Sequence, residues 1–420
     1  MNLIFSLSPD LRRNLLVLFT AGLLFWSALA ALLPTLPLYI RDIGGDSQAI
    51  GIVMGMFAIG LLISRSWLAQ MADRKGRKIV LLIGMAAVAF APLGYALTDS
   101  IPLLMGIRAA HGLSIAAFAL AYSALVVDFS PPAQRGELIG YMSLVNPIGM
   151  AIGPAMGGYL QEWLGYLPMF AAAAGLGIIG LLCTAQVQEP PIDRHAESAK
   201  SPFWGLLVTP RVRIPAIVLL LIGLAFGTLS TFVPLFVQEA GVDLNVGLFY
   251  TAAAIASFSI RLVTGRASDR FGRGVFISIS LILYSAAMLL LWRATSAVEF
   301  LLAGVLEGAG AGILIPMMAA LMADRAMPNE RGRIFGVCMV GFDLGIAIAG
   351  PLLGTVAIGL GYRGIFGVAG LLSLLGIVVF ATLSSKNLAY SLQFAIGRGR
   401  DIYAINGPQA KRADSEKSTL

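Results

Sequence analysis

Apolar residues run along this chain in long blocks broken by short polar stretches, as in "IVLLIGMAAVAFAPLGYAL" at 79–97 and "GLLSLLGIVVFATL" at 370–383. Blocks of about 18 residues or more are long enough to cross the hydrocarbon core of a bilayer as helices. They must be helical, because lipid offers the backbone no hydrogen-bond partners. The pattern predicts spans at 12–40, 47–68, 79–97, 101–128, 136–160 and 167–187. The polar stretch "QEPPIDRHAESAKSP" at 188–202 interrupts it, and spans resume at 211–238, 244–266, 275–293, 297–324, 332–358 and 362–385. The final "GPQAKRADSEKSTL" has the composition of a disordered segment.

Composition agrees with this pattern. The chain is 58% hydrophobic and 12% charged, with a mean hydropathy of +0.85, which excludes a soluble globular protein and predicts a polytopic membrane protein. Arg12 and Arg13 precede an apolar segment that runs to about Ile40, too long for the apolar core of a cleaved signal. Cys183 and Cys338 both fall inside spans, and His111 and His195 are the only histidines. Neither a disulfide framework nor metal-ligand spacing results, so no metal or cofactor is expected. The chain has no P-loop, no HExxH and no GxSxG in a fitting context, which argues against an ATP-driven pump and an intramembrane enzyme.

The distribution of basic residues predicts orientation. With the N-terminus in the cytoplasm, Arg74, Lys75, Arg77, Lys78, Arg135, Arg194, Lys200, Arg211 and Arg213 fall inside. So do Arg266, Arg270, Arg273, Arg325, Arg331, Arg333 and the bases of the C-terminal tail, whereas the other face receives only Arg41, Arg293 and Arg363. This asymmetry puts both termini and the middle linker in the cytoplasm. It also accounts for the net charge of +7 without a nucleic-acid partner. A bacterial plasma (inner) membrane is the expected location.

The stretch "LAQMADRKGRKIVLL" at 68–82 concentrates an acid, several bases and a glycine, and "VTGRASDRFGRGVFI" at 263–277 repeats the arrangement. One spacing relates Arg65 to Arg261, Asp73 to Asp269, Gly76 to Gly272, Arg77 to Arg273, His111 to Glu307, Asp128 to Asp324 and Arg135 to Arg331. A single extra residue then precedes the pair Gly153-Pro154 and Gly350-Pro351. Two six-helix halves related by a parallel repeat, a mark of secondary transporters, explain this register. The expected organisation is an N-terminal bundle at 1–187, a cytoplasmic linker at 188–210, a C-terminal bundle at 211–385 and a cytoplasmic tail at 386–420.

With these features the chain resembles the major facilitator superfamily over nearly its whole length, in particular its twelve-helix drug:proton antiporters. The family's loop signature, Gly-x-x-x-Asp-Arg-x-Gly-Arg-Arg/Lys, reads here as "AQMADRKGRK" at 69–78, with Ala69 in place of the first glycine. The second copy, "GRASDRFGRG" at 265–274, keeps that glycine and ends in Gly274 instead of a base. The resemblance implies an all-α integral membrane fold of twelve helices in two six-helix bundles. It also implies a self-contained monomer.

Glycine at Gly76 and Gly272 permits a tight turn between two helices. Asp73 and Asp269 are candidates to sit at a helix N-terminus of the other half, where the macrodipole favours an anion. Arg77 can pair with Asp128, and Arg273 with Asp324, forming a cytoplasmic latch that must break when that side opens. "GMAIGPAMGGYL" at 149–160 places Gly149, Gly153, Gly157 and Gly158 at near-helical spacing around Pro154, which favours close helix packing and a bend. It resembles the family's antiporter signature, associated with exporters.

"RAAHG" at 108–112 resembles the family's fourth-helix motif, whose arginine is linked to proton transfer. Arg108 lies about 10 Å from the outer end of its span. It must face a wet cavity or a counter-ion, or snorkel to the interface. Glu307 and Asp343 each lie about 14–15 Å along their spans. Either can carry a proton, hold a cationic substrate, or stand as a neutral acid hydrogen-bonded to a neighbouring helix. His111, one turn from Arg108, is a candidate proton relay or a packed neutral histidine.

The first span carries no acid in its interior, unlike many drug-exporting relatives, so a proton site must lie elsewhere, with Glu307 and Asp343 the candidates. Phe25, Trp26, Asn146 and Phe226 are candidates to line an apolar substrate cavity. These features together predict proton-coupled export of a small, partly apolar organic compound by alternating access. A sugar or metabolite facilitator or symporter of the same fold is the alternative, although few amide, hydroxyl and indole groups are available to it.

Overall fold

The structure is a computed structural model, and it describes residues 7–131, 134–189, 204–327 and 330–405. Arg194, His195 and Lys200 of the expected linker, and residues 406–420 of the expected tail, lie outside the described residues. Among the described residues there is no strand. The helices are α1 Pro9–Ala31, α2 Leu36–Asp42, α3 Ser47–Lys75, α4 Arg77–Ala96, α5 Ile101–Phe129, α6 Arg135–Ser143, α7 Val145–Leu164 and α8 Tyr166–Ala185. They continue as α9 Pro210–Glu239, α10 Val246–Phe271, α11 Arg273–Arg293, α12 Ala297–Asp324, α13 Arg331–Leu383 and α14 Leu388–Ala395.

Counting α1 with α2 and α6 with α7, 11 stretches among the described residues are long and apolar enough to span a membrane. The last, α13, is two helices joined at Gly361, whose φ of 67° leaves the helical region. Twelve membrane passages result, as expected from the apolar blocks.

The boundaries differ from the expected spans for local reasons. The expected 12–40 helix breaks between Ala31 and Leu36, where Pro34 and Pro37 interrupt the backbone ladder. The expected 136–160 helix breaks at Leu144, because Pro147 has no N–H to give Ser143. The expected pair 332–358 and 362–385 runs almost without interruption, because a single glycine suffices for the turn. The eight-residue α14 follows the last span and was not anticipated.

The chain forms two compact units. The first comprises Met1–Ser198, Thr231–Gln238 and Asp243–Thr251, and the second comprises Ala199–Ser230, Glu239–Val242 and Ala252–Leu420. In the first unit Leu18, Phe25, Leu81, Met85, Val88, Ala117, Phe118 and Leu125 build the core. In the second the core is formed by Val212, Leu219, Ile222, Ile277, Leu281, Tyr284, Leu314, Met318 and Val337.

Glycines set how closely the helices approach. A Cβ at Gly112 on α5 would strike the carbonyl of Phe57 on α3, and one at Gly308 on α12 would strike the carbonyl of Ala253 on α10. These two contacts occupy corresponding places in the sequence repeat, so the repeat is present in the backbone packing as well.

Candidate functional site

The first unit holds a buried polar cluster on α5. Arg108 is 6% exposed and His111 is fully buried. The Tyr95 hydroxyl lies 3.0 Å from His111 Nδ1, and Arg108 Nη1 lies 3.4 Å from the same nitrogen. The Arg108 guanidinium sits 4.4 Å over the ring of Phe57, where the negative face of the ring offsets part of the cost of burying a cation. Arg108 Nε and His111 Nε2 have no hydrogen-bond partner among the described residues. Arg108 therefore points into the helix packing and does not snorkel to the surface.

The second unit holds its counterpart on α12. Glu307 is 4% exposed, and its Oε1 has no hydrogen-bond partner among the described residues. The Tyr284 hydroxyl of α11 lies within interaction reach of this carboxyl and of Arg261 on α10. The sequence around the acid explains how it is held. In "EGAGAG" at 307–312, Gly308 and Gly312 bring α12 against Ala253 and Ser257 of α10, while Gly310 brings it against Tyr284 of α11. Asp343, on α13 of the same unit, is 5% exposed. Its helix packs against α9, where a Cβ at Gly341 would meet the carbonyl of Ala216 and one at Gly345 the carbonyl of Leu220.

Both copies of the charged loop form short turns. Gly76 takes a φ of 105° and Gly272 a φ of 91°, conformations that favour glycine. Arg77 Nη1 lies 3.1 Å from Asp128 Oδ2 within the first unit. Arg273 Nε lies 3.4 Å from Asp324 Oδ2 within the second, and Arg273 Nη1 donates to Ser268 Oγ at 2.6 Å. Asp73 is exposed and has no ion pair among the described residues, while the side chain of Asp269 lies outside what the structure describes.

The glycines of α7 make direct helix contacts. Gly149, Gly153 and Gly157 pack on Trp26, Ser27, Ala30 and Ala31 of α1, and Gly158 packs on Asn245. Pro154 is buried within α7, and a Cβ at Gly247 would meet its carbonyl. Thr251 Oγ1 donates to the carbonyl of Ala151 at 2.7 Å, and Asn245 Nδ2 donates to Glu162 at 2.6 Å. The candidate cavity residues divide. Phe25 is fully buried and stacks on Phe118 at 3.9 Å, so it belongs to the core of the first unit and not to an open wall. Trp26, Asn146 and Phe226 are half-buried, with the ring of Phe226 5.6 Å from that of Phe342.

Several polar groups escaped the sequence reading. Glu189 accepts from the backbone N–H of Arg77 at 2.6 Å and of Lys78 at 3.2 Å, capping α4 where the macrodipole favours an anion. Arg325 is buried and makes a bidentate bridge to Asp401, Nε to Oδ2 at 2.7 Å and Nη2 to Oδ1 at 3.0 Å. Glu189, the last acid before the linker prolines, could have been read as a cap. Nothing local signals the pairing of Arg325 with a residue so far along the chain.

The family model described as Major Facilitator Superfamily matches residues 18–275 and 244–388. The chain is 26% identical over 400 residues to Multidrug resistance protein MdtG of Salmonella choleraesuis (strain SC-B67), covering 92% of this chain and 97% of that protein. To the MdtG of Citrobacter koseri it is 27% identical over 397 residues, covering 90% and 95%. Among solved structures it superposes on the nucleoside transporter NupG with a TM-score of 0.70 at 15% identity, covering 87% of this chain and 98% of that one. The human organic anion transporter MFSD10 (TETRAN) gives a TM-score of 0.66 at 20% identity, covering 89% and 100%. At these identities the structural likeness concerns the fold alone.

Proposed function

The chain belongs to the major facilitator superfamily, and from that premise we propose that this transporter exports a small, partly apolar organic compound in exchange for protons. The observation that carries the reading is Glu307. The residue is 4% exposed and stands about 15 Å along α12, with one carboxyl oxygen lacking a hydrogen-bond partner among the described residues. An ionisable group at that depth is costly to keep and marks a proton or substrate pathway. Asp343 is the second carrier candidate, and Arg108 with His111 forms a basic site on the other repeat.

The multidrug-resistance name of the curated relatives supports efflux and a partly apolar substrate. The glycine pattern of α7 supports exchange over uptake. The basic residues of the loops favour a plasma membrane location with both termini cytoplasmic, and a monomer suffices. The repeats at 1–187 and 211–385 are the moving bodies of alternating access, linked through 188–210, with 386–420 following the last span. On this reading Asp73, Arg77 and Asp128, with Asp269, Arg273 and Asp324, close the cytoplasmic side and release it during the cycle.

The test is a proton-flux assay on purified protein in liposomes holding a pH dye, with lipophilic cations, organic anions and sugars as candidate substrates. Substrate-dependent proton movement opposite to substrate flux is expected, abolished by Glu307→Gln or Asp343→Asn. Substrate flux without proton movement, unchanged in both variants, would overturn antiport in favour of a facilitator.

A further inference from the structure

Beyond the last membrane passage the chain doubles back on its own unit. Asn387 Oδ1 accepts from the Tyr390 N–H at 3.0 Å and starts α14. Ser391, Phe394 and Ala395 of that helix are buried. Leu388 and Leu392, with Ile396 just past its end, are 56%, 44% and 56% exposed, one helical turn apart. An apolar stripe of this kind on a short helix beside a membrane passage belongs at the bilayer surface, in contact with the headgroup and acyl boundary.

The position of α14 is fixed at several points. Gly274 leaves room for the Phe394 carbonyl, and Ser278 Oγ donates to the Ala395 carbonyl at 2.9 Å. Gly397, at a φ of 77°, turns the chain toward Asp401, which grips the buried Arg325. The same guanidinium lies 5.0 Å from the ring centre of Tyr403, and Arg325 Nη1 donates to the Arg211 carbonyl at 2.8 Å.

This fold-back walls a cavity of about 660 Å³ between the start of α9 and the end of α13. Arg213, Lys386 and Ser385 bring polar groups to it, while Leu383, Leu388 and Tyr403 supply apolar surface. Arg213 and Lys386 are exposed and have no ion pair among the described residues. Ser385 Oγ is shielded from solvent without a hydrogen-bond partner among them. The two exposed cations suit a phosphate group, and the adjoining leucines suit hydrocarbon.

We propose that this cavity binds the phosphate of an anionic membrane phospholipid, whose acyl chains lie along Leu383 and Leu388. Basic pockets beside membrane helices hold such headgroups by charge and hydrogen bonding. A membrane lipid fits better than a free anion because those two leucines are 54% and 56% exposed at the wall of the cavity. The stripe on α14 also turns the same region toward the bilayer. The site goes beyond the export reading and depends on it only for which leaflet supplies the lipid.

The test uses the full-length protein in mild detergent, titrated separately with dioleoyl phosphatidylglycerol, dioleoyl phosphatidylcholine and inorganic phosphate. Native mass spectrometry reads binding, and the thermal unfolding midpoint reads protection. Phosphatidylglycerol is expected to bind and raise the midpoint, while the other two leave it unchanged. Arg213→Gln combined with Lys386→Gln should weaken phosphatidylglycerol binding roughly 30-fold, from about fivefold per basic group. The charge-keeping pair Arg213→Lys and Lys386→Arg should retain it, as should Arg398→Gln, a base of the fold-back outside the cavity wall. Equal binding by the intact protein and the double Gln variant would overturn the site. Equal protection by inorganic phosphate would overturn the lipid as its occupant. Because both bases are exposed, an unchanged midpoint without lipid confirms that the variants fold.

Discussion

His111 and Glu307 occupy corresponding places in the two repeats, on frameworks of the same construction. Each is followed by a glycine that seats its helix on a neighbouring backbone, Gly112 on Phe57 and Gly308 on Ala253. Each has a tyrosine hydroxyl at hand, Tyr95 at 3.0 Å from the imidazole and Tyr284 within interaction reach of the carboxyl. The charges differ. In the first unit the arginine comes from the same helix, Arg108, and the cluster contains no acid. In the second the arginine near the tyrosine is Arg261 of α10, and the central group is a carboxylate. Duplication has kept the backbone device that holds one polar group deep in a helix bundle, while the chemistry at its centre has diverged. A basic pair can hold an anion or orient a partner, whereas a buried carboxyl can load and release a proton.

The widest separation between the two sites is expected in coupling. Glu307→His gives the second unit the central group of the first, and it should reduce substrate-coupled proton flux by roughly 100-fold, the scale on which a positioned proton-transfer group contributes. His111→Gln keeps a polar side chain in place and should leave the flux within about threefold, because Glu307, the proposed carrier, is untouched. Dye-reported proton movement in liposomes reads both variants. A His111→Gln loss as large as that of Glu307→His would move the proton step to the first unit.

The shared framework predicts the opposite, an equal response. Gly112→Val and Gly308→Val each drive a branched side chain into a neighbouring carbonyl, with Phe57 and Ala253 as the obstacles. Each should destabilise the protein by about 1–3 kcal/mol, the range for overpacking a close contact. The thermal unfolding midpoint in detergent checks this, with Gly136→Val, at a glycine with open space around it, as the comparison. A midpoint shifted by only one of the two would mean that the repeat is retained in sequence without its mechanical role.

The fold was legible because bilayer thickness dictates the length of an apolar block, and because a repeated charged loop is hard to produce by chance. The single-glycine turns at Gly76 and Gly272 were legible for the same reason, since an acid, bases and a glycine in fixed order leave few alternatives. Positions along a helix gave the depth of Glu307 and Arg108 but not what surrounds them. Tyr95 and Tyr284 come from other helices, and an isolated tyrosine in an apolar block carries no sign of its partner. Phe25 illustrates the same gap. As an aromatic of the first span it was a candidate for the cavity wall, yet it is buried and stacks on Phe118. Prolines were the opposite case, since Pro34, Pro37 and Pro147 announce breaks that apolar periodicity alone had smoothed over.

The charged loops offer the finest contrast between the two units. Arg77 and Asp128 meet at 3.1 Å with side chains 32% and 24% exposed, and Arg273 and Asp324 meet at 3.4 Å with side chains 18% and 23% exposed. Pairs this open to solvent are worth about 0.2–1 kcal/mol, because water screens the attraction and ordering two long side chains costs entropy. Double-mutant cycles on Arg77→Ala with Asp128→Ala, and on Arg273→Ala with Asp324→Ala, should therefore give coupling energies below about 1 kcal/mol in each unit. The single change Arg273→Ala should cost slightly more than Arg77→Ala, because Arg273 also donates to Ser268 at 2.6 Å. Thermal unfolding of the four single and two double variants measures all of these terms. Each pair lies within a single unit, so a coupling this weak would order its charged loop while adding little to the stability of the bundle. A coupling above about 2 kcal/mol in either unit would instead make that pair a main support of its own bundle.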